Sequence, residues 1–402
     1  MLGSGTTNEV QYLMWTCHTL ALNQSSIAAH DTLKVFFKVL SWSLHWLYLG
    51  RWPTHDWNGV EYQEGTKDFT LAYDVYWLAE GYAAVLFSNN CDLDFIHKTW
   101  RLENYNNQQT PCTWCRASLS PEANWRDFKE RAPWTSTIYS ATDWLAAHPN
   151  HVTFFDLLFI GIWSLSPDWM HSKYLGLDQY FFGSVLKMLV FTIMGGEPFD
   201  NMREIWTELR EYFKEHKVPN CYRLITINMF NNQDFPRLKG RAAEIRHLGE
   251  ALLHVFDMYM NTGDELHKYV KTTLKMNIKL EEMLDDHEGW NFQGADYTKL
   301  IKLAHGFLIG YNACQASAKR RELVLFNVTI KSHMLLHCVY RSNLIHPKYV
   351  WCFGGEAFMK IMKKLHSSCT DGNAPHKATV KSADKWLFAM HCQYTGVAKA
   401  RL

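Results

Sequence analysis

The sequence predicts an α/β fold whose strands lie in its first half and whose second half is mostly helical. Two continuous apolar runs, at 81–87 and 154–163, have the length of buried strands and end at turn-forming residues. A third run, at 9–22, is also long enough to hold a strand. From 197 to 325 the apolar residues recur at helix spacing. Strands first, then a long helical block and a short mixed end, indicate the α/β class.

The helical elements follow from the same periodicity. Between 31 and 49 the apolar residues keep helix spacing behind Asp31, which is the predicted N-cap. A second helix is predicted at 179–194. Within the later block, the sequence predicts helices at 202–214, 241–260 and 264–285.

Composition sets limits on the function. The chain has 402 residues, of which 47% are hydrophobic, so it can bury a large core. Its 41 Lys and Arg balance 40 Asp and Glu, which excludes a global basic field that would attract nucleic acid. Any DNA contact must then come from a local patch. Lysines are in excess after Lys360, and we interpret them as solvated surface.

The sequence predicts a protein that is neither secreted nor embedded in a membrane. Its ten cysteines are scattered, mostly within apolar stretches, as is typical of reduced thiols in intracellular proteins. No charged and apolar leader is visible at 1–8. The two most apolar stretches, 154–163 and 180–194, are shorter than the ~20 residues of a membrane helix.

Two short motifs together predict a zinc site. Cys112-Thr-Trp-Cys115 has the spacing of two adjacent zinc ligands; chance spacing is the alternative, and a redox pair is less favoured because no helix clearly follows. His333 and His337 share one face of a helix, although an isolated pair is more often two hydrogen-bonded core histidines. Together the four residues complete a Cys2His2 set.

Carboxylates follow both predicted strands. Asp92, with Asp94 close behind it, follows the run at 81–87, and a strand end is a rigid position for a ligand of a divalent ion. A turn acid is the commoner explanation. Asp168 and His171 lie where the second run gives way to a helix, and there Asp168 as an N-cap is the better supported interpretation.

These motifs, in this order, resemble one family. HVTFFDLLFIGIWSLSPDWMHSKYLGLDQYFFGSVL is similar to the D-x-M-H…L-G segment of CACTA- and Plavaka-type transposases, a form of the (C/D)-x-x-H motif of eukaryotic RNase H-like transposases. KSHMLLHCVYRSNLIHPKYVWCFGGEAF resembles their H-x3-H segment and the acid after it. The order is also similar to the Transib-type recombinase core. PCTWCRA, WRDF and FPRLKGRAAEIRHL resemble transposase-derived families of dinoflagellate genomes.

The resemblance, over roughly 30–390, implies an RNase H-like mixed sheet with a large helical insertion. It implies an N-terminal part of the core at 1–195, the insertion at 196–325 and a C-terminal part at 326–402. DNA is the implied partner, with a possible homo-oligomer and a nuclear or other intracellular location. Structural zinc and catalytic Mg²⁺ or Mn²⁺ are the implied cofactors.

The resemblance also assigns roles to individual residues. Asp92 matches the second metal-binding acid, with Asp94 as the alternative. Glu356 matches the third acid, with Glu244 as the alternative. The zinc ligands would be Cys112, Cys115, His333 and His337, while Asp168 and His171 would be the shared motif pair.

One departure bears on activity. In the family the first catalytic Asp lies on a strand before the first helix, but no Asp precedes Asp31 here. The expectation is a core incomplete at its N-terminus and an inactive, transposase-derived DNA-binding protein. The alternatives are an active transposase or nuclease that uses two metal ions, and a zinc-stabilised interaction protein.

Overall fold

The structure is a computed structural model that describes residues 20, 22–24, 31–232 and 234–395. Most of these residues are helical. The α-helices are α1 Thr32–Leu49, α2 Lys67–Thr70, α3 Leu93–Lys98, α4 Ala141–Ala147, α5 Gln179–Met188, α6 Pro198–Glu215, α7 Ala242–Arg246, α8 Gly249–Tyr259, α9 Glu265–Asp286, α10 Gly294–Arg320, α11 Ile330–Arg341, α12 Phe353–Thr370 and α13 Pro375–Thr395.

Shorter helical segments and two strands complete the fold. The π-helical segments are Leu71–Val75, Met170–Asp178 and Leu189–Ile193. The 3-10 helices are Leu78–Gly81, Pro121–Ala123, Pro133–Thr137, Thr153–Asp156, Ile162–Ser164, Ile227–Met229 and Pro347–Tyr349. The strands are β1 Asn89–Asn90 and β2 Leu165–Ser166.

The first helix forms as predicted. The carboxylate of Asp31 accepts a hydrogen bond from the backbone N–H of Lys34 at 3.0 Å, which is the expected N-cap contact. Gly50 ends the helix in the left-handed conformation, which glycine adopts without a steric penalty. Phe37 and Leu44 turn the buried face of α1 towards the core.

The sheet is much smaller than an RNase H-like core requires. In the described part of the chain, the one sheet has two strands, β1 and β2, which pair in parallel with Asn89 opposite Leu165 and Asn90 opposite Ser166. The predicted mixed sheet is therefore not formed by these residues. The predicted strand at 9–22 lies outside the described residues apart from positions 20 and 22.

The two apolar runs are not strands, which corrects the prediction. Most of 81–87 has no regular structure, and Tyr82 is 77% exposed; the backbone N–H of Ala84 donates to the carbonyl of Leu47 at the end of α1. The run at 154–163 contains two 3-10 turns instead. An apolar run reports burial, and burial alone does not distinguish a strand from a buried turn. The strands lie just after each run.

The helical block is confirmed. Helix α6 covers the predicted 202–214, α7 and α8 lie within 241–260, and α9 matches 264–285 to within one residue at each end. Helix α5 and the π-helical segment after it cover 179–193 of the predicted 179–194. In α9 the buried face recurs every three to four residues and packs against α10 and α8. Its buried apolar side chains are Leu266, Val270, Leu274, Leu280 and Leu284.

The C-terminal helices α12 and α13 pack against each other around a small core of their own, formed by Met362, Trp386 and Met390. A much larger core runs through the preceding elements. Among the described residues, no helix has both the length and the apolar character that crossing a membrane requires.

Candidate functional site

The Cys112–Cys115 loop is built to present its two sulfurs inward. The backbone N–H of Trp114 points at the Cys112 Sγ, and that of Ala117 at the Cys115 Sγ, each at 3.4 Å. Such N–H groups stabilise negative charge on sulfur. The indole of Trp114 donates to the carbonyl of Leu165 at 2.9 Å, which fixes the loop to β2.

Helix α11 supplies the other two side chains of this cluster. His333 and His337 are one helical turn apart, and their Nε2 atoms are 3.0 Å from each other. The Cys112 Sγ lies 3.3 Å from the His337 Nε2, and the Cys115 Sγ lies 3.2 Å from the His333 Nε2. These pairs are 225 and 218 residues apart in the chain.

The four ligand atoms all lie within 4.8 Å of one another and form a buried possible metal site. A tetrahedron with zinc–ligand bonds of about 2.0–2.3 Å has edges of roughly 3.3–3.8 Å, close to the observed separations. All four side chains are buried, His333 completely. The donor set is therefore compatible with structural zinc, as predicted.

The tendency to take up a proton differs among the members of the cluster. Burial, together with the neighbouring Cys115, raises the pKa of the Cys112 thiol. Burial opposes ionisation of Cys115 as well, but the hydrogen bond with Cys112 and the two histidines lower the pKa of that thiol. Burial lowers the pKa of His337, which favours the neutral imidazole that binds metals.

Two tryptophan side chains pack against the histidines of the cluster. Trp134 stacks edge-on against His333 at 4.2 Å between ring centroids, and Trp114 lies 5.9 Å from His337. Within the described residues, the buried Nδ1 of His333 has no hydrogen-bond partner. The burial of all four ligand side chains is typical of a structural rather than a catalytic metal.

A second cluster lies where β1 and β2 end. Parallel strands end at the same edge of a sheet, so Asp92 and Asp168, just after these strands, line one pocket. Asp92 is the N-cap of α3 and accepts from the Phe95 N–H at 2.7 Å. The neighbouring Asp94 pairs with Lys98 at 2.8 Å. We call this pocket the acid pocket.

Asp168 is the most heavily hydrogen-bonded group of the acid pocket. Its Oδ1 accepts from the backbone N–H of Met170 at 3.2 Å and of Cys352 at 2.9 Å. Its Oδ2 accepts from the backbone N–H of His171 at 2.9 Å and contacts the Nδ1 of the same residue. Asp168 therefore begins the helical segment as predicted, and it also holds the imidazole.

His171 links two carboxylates. Its Nδ1 faces Asp168 and its Nε2 lies 3.3 Å from a carboxylate oxygen of Glu356, in the first turn of α12. Burial lowers the pKa of His171, but the hydrogen bond with Asp168 and the charges of Asp168, Glu356 and Asp92 raise it above its usual value. The neighbouring carboxylates thus stabilise the imidazolium form of His171 relative to an imidazole in water.

Within each pair of alternative metal-binding acids, the two side chains have different surroundings. Glu356 contacts His171 beside the acid pocket, whereas Glu244 caps α7 by binding the side chain and backbone N–H of Arg241 at 2.7 and 2.8 Å. Asp92 and Asp94 both line the pocket, but Asp94 is engaged by Lys98.

Sequence reasoning missed two residues of this cluster. The side chain of Cys352 lies with those of Asp168 and His171 in a group whose ligand atoms are all within 4.8 Å of one another. Lys331 lines the acid pocket, and burial lowers its pKa to about 8. Cys352 is a lone cysteine that belongs to no sequence motif. Lys331 lies two residues before His333, in the stretch KSHMLLH that the resemblance covers, and that position is a signal that could have found it.

Comparison with protein-family models, with curated proteins and with solved structures gives no match to this chain. The geometry of the two clusters therefore carries the functional argument.

Proposed function

We propose that this chain is a transposase-derived DNA-binding protein with an RNase H-like ancestry, held together by one structural zinc ion. The observation that carries the proposal is the link from Asp168 through His171 to Glu356, next to Asp92. These four residues come from distant parts of the chain, and the resemblance had singled out each of them. The proposed partner is in keeping with a nuclear or other intracellular location.

Asp92 and Glu356 are the residues that would hold a divalent ion. Carboxylate oxygens suit Mg²⁺ and Mn²⁺, and such ions activate a water or a DNA 3′-hydroxyl for attack on a phosphodiester. Asp168 does not fit as a further bridging ligand, because each of its oxygens already accepts two contacts. We therefore propose that the chain binds DNA without cleaving it.

The second candidate is metal-dependent cleavage, which the carboxylates of the acid pocket favour. A nicking assay on supercoiled plasmid with Mg²⁺ or Mn²⁺ separates the two. The proposal expects no nicking by the wild type. Nicking that Asp92→Ala abolishes and Asp94→Ala preserves would establish the second candidate, since Asp94 is the neighbouring acid that Lys98 engages.

Filter binding of a labelled duplex tests the DNA partner. The proposal expects binding that weakens steeply between roughly 50 and 200 mM salt, because phosphate contacts release counterions. A chain that holds zinc but binds no duplex even at low salt would be a zinc-stabilised interaction protein instead.

A further inference from the structure

Helix α12 carries charge of both signs along one face. Glu356, in its first turn, contacts His171, and lysines follow four, seven and eight residues later at Lys360, Lys363 and Lys364. At 3.6 residues per turn these four side chains fall within an arc of about 100°. The face that brings Glu356 to the acid pocket therefore continues as a basic track, which we define as Lys360, Lys363 and Lys364.

The opposite face of α12 is apolar and packs against α13. Met362 and Cys369 are buried there, with Phe358 and Leu365 beside the small core. The three lysines of the basic track are exposed, and none of them forms an ion pair or hydrogen bond with a residue that the structure describes. The packing of α12 on α13 thus fixes which way the three lysines face, but it leaves their charges unpaired among the described residues.

Some basic side chains elsewhere in the described chain are paired, unlike those of the basic track. Arg320 and Arg321 at the end of α10 pair with Glu265 and Asp264, and Lys271 pairs with Asp257. A solvated surface usually mixes both signs in this way. Three like charges on one face, without counter-ions among the described residues, repel one another and favour an anionic partner.

We propose that the basic track binds the phosphates of a DNA strand at the acid pocket. This inference rests on the proposed function and names the surface that would hold the DNA backbone. With a rise of 1.5 Å per residue, the lysines lie about 6 to 12 Å along the axis from Glu356. The track itself, from Lys360 to Lys364, is about 6 Å long. Phosphates of one duplex strand rise by about 3.4 Å each along the helix axis, so the track spans about two such steps.

The carboxylates at the acid pocket make nearby positive charge necessary for a phosphate to bind there. Asp92, Asp168 and Glu356 present carboxylates that repel phosphate, and His171 and Lys331 lie beside them. Lysines just outside the pocket offset this repulsion without occupying it. Their flexible side chains bind phosphates as point charges and carry no sequence information.

The test compares two matched double variants in duplex binding over a salt series. Lys360→Gln/Lys364→Gln removes two charges from the track. Lys377→Gln/Lys381→Gln removes two exposed lysines, also one turn apart, from the partner helix α13. Both variants change net charge equally, and thermal unfolding confirms that both are folded.

The proposal expects the slope of log K against log salt to fall by about two for the α12 variant, at ~0.9 per phosphate contact, and to stay unchanged for the α13 variant. An equal decrease of this slope in both variants, or no decrease in either, would show that the basic track does not bind the DNA phosphates. A wild type that binds no DNA refutes the proposed function itself, so the two failures are distinguishable.

Discussion

The carboxylate of Asp168 accepts a hydrogen bond from the backbone N–H of Cys352, at 2.9 Å, across 184 residues of chain. Cys352 immediately precedes α12, so this bond fixes the start of that helix beside the end of β2. Asp168 thereby positions Glu356 as well as His171. A single buried carboxylate thus connects the acid pocket to the start of α12 beside it.

Asp168→Asn tests this linkage through His171. Replacing the carboxylate by an amide removes the charge that, with Glu356 and Asp92, raises the pKa of His171, so that pKa should fall. NMR titration of the histidine ring measures it. Asp156→Asn is the matched control, because Asp156 pairs with His151 at 2.8 Å and should leave His171 unchanged. An unaltered His171 titration in Asp168→Asn would contradict the linkage.

From the cluster that contains Cys112 and His337 we predict one zinc ion per chain. Purified protein should contain about one equivalent by elemental analysis, and Cys112→Ser should lose it together with much of the folding free energy, since binding energy at such a site is folding energy. Cys221→Ser is the control, because Cys221 is a half-buried cysteine outside the cluster. Zinc that survives in Cys112→Ser would mean that other residues hold it.

The zinc set could be predicted because its signal is local. The spacing of Cys112 and Cys115 in a turn, and of His333 and His337 on a helix, each directs two ligands to one side. The burial of these residues, and the contact between Cys112 and His337 across 225 residues, follow from tertiary packing, which local spacing does not report. The helices could be predicted for the same reason, since their periodicity is local.

The strands and Cys352 could not be predicted, for physical reasons. Phe154 and Phe155 are buried because they pack around Trp100 from a 3-10 turn, and an apolar run at a turn looks like a strand in sequence. Cys352 reaches Asp168 through its backbone N–H, a group that every residue but proline shares. No side-chain pattern marks such a contact.

Asp264 gives a prediction about acid stability. It caps α9 and also binds Arg321 at 2.7 Å, and the Arg321 hydrogen bond lowers its pKa to about 2. A carboxylate with a lowered pKa stabilises the fold above its unfolded pKa of about 3.9 and stops doing so as the pH falls towards 2. Asp264→Ala should cost about 1 kcal/mol at neutral pH, mainly from the lost cap, because the ion pair is partly solvated.

Denaturant unfolding of the wild type and Asp264→Ala over a pH series measures this contribution. The difference in unfolding free energy between them should be constant above about pH 5 and shrink as the medium becomes more acidic. Asp234→Ala, at an exposed loop position, is the control and should show no such trend. A difference that is independent of pH would show that Asp264 acts without its charge.

Lys173 gives a prediction about a buried ion pair. Its ammonium group is completely buried and binds Asp178 at 2.7 Å, Glu281 at 2.8 Å and Asn277 at 3.1 Å, joining the segment after β2 to α9. Removing one partner of a buried ion pair leaves the other charge uncompensated in a medium that solvates it poorly. Lys173→Met, which keeps an unbranched apolar side chain, should therefore lower the unfolding free energy by about 3–5 kcal/mol.

The pH dependence of this loss identifies its cause. Burial raises the pKa of Asp178 to about 6, although Lys173 opposes the rise, so removing Lys173 should raise that pKa further. A carboxyl group with a raised pKa destabilises the fold as the pH rises through that value, because it must then ionise while buried. The cost of Lys173→Met should thus be larger at about pH 8 than at about pH 5, where Asp178 can take up a proton.

Lys98→Met, which removes an exposed lysine paired with Asp94, is the control and should show no measurable change in unfolding free energy at either pH. Chemical denaturation of both variants decides the matter: a Lys173→Met cost that does not grow with pH would indicate lost packing around the side chain rather than an uncompensated Asp178.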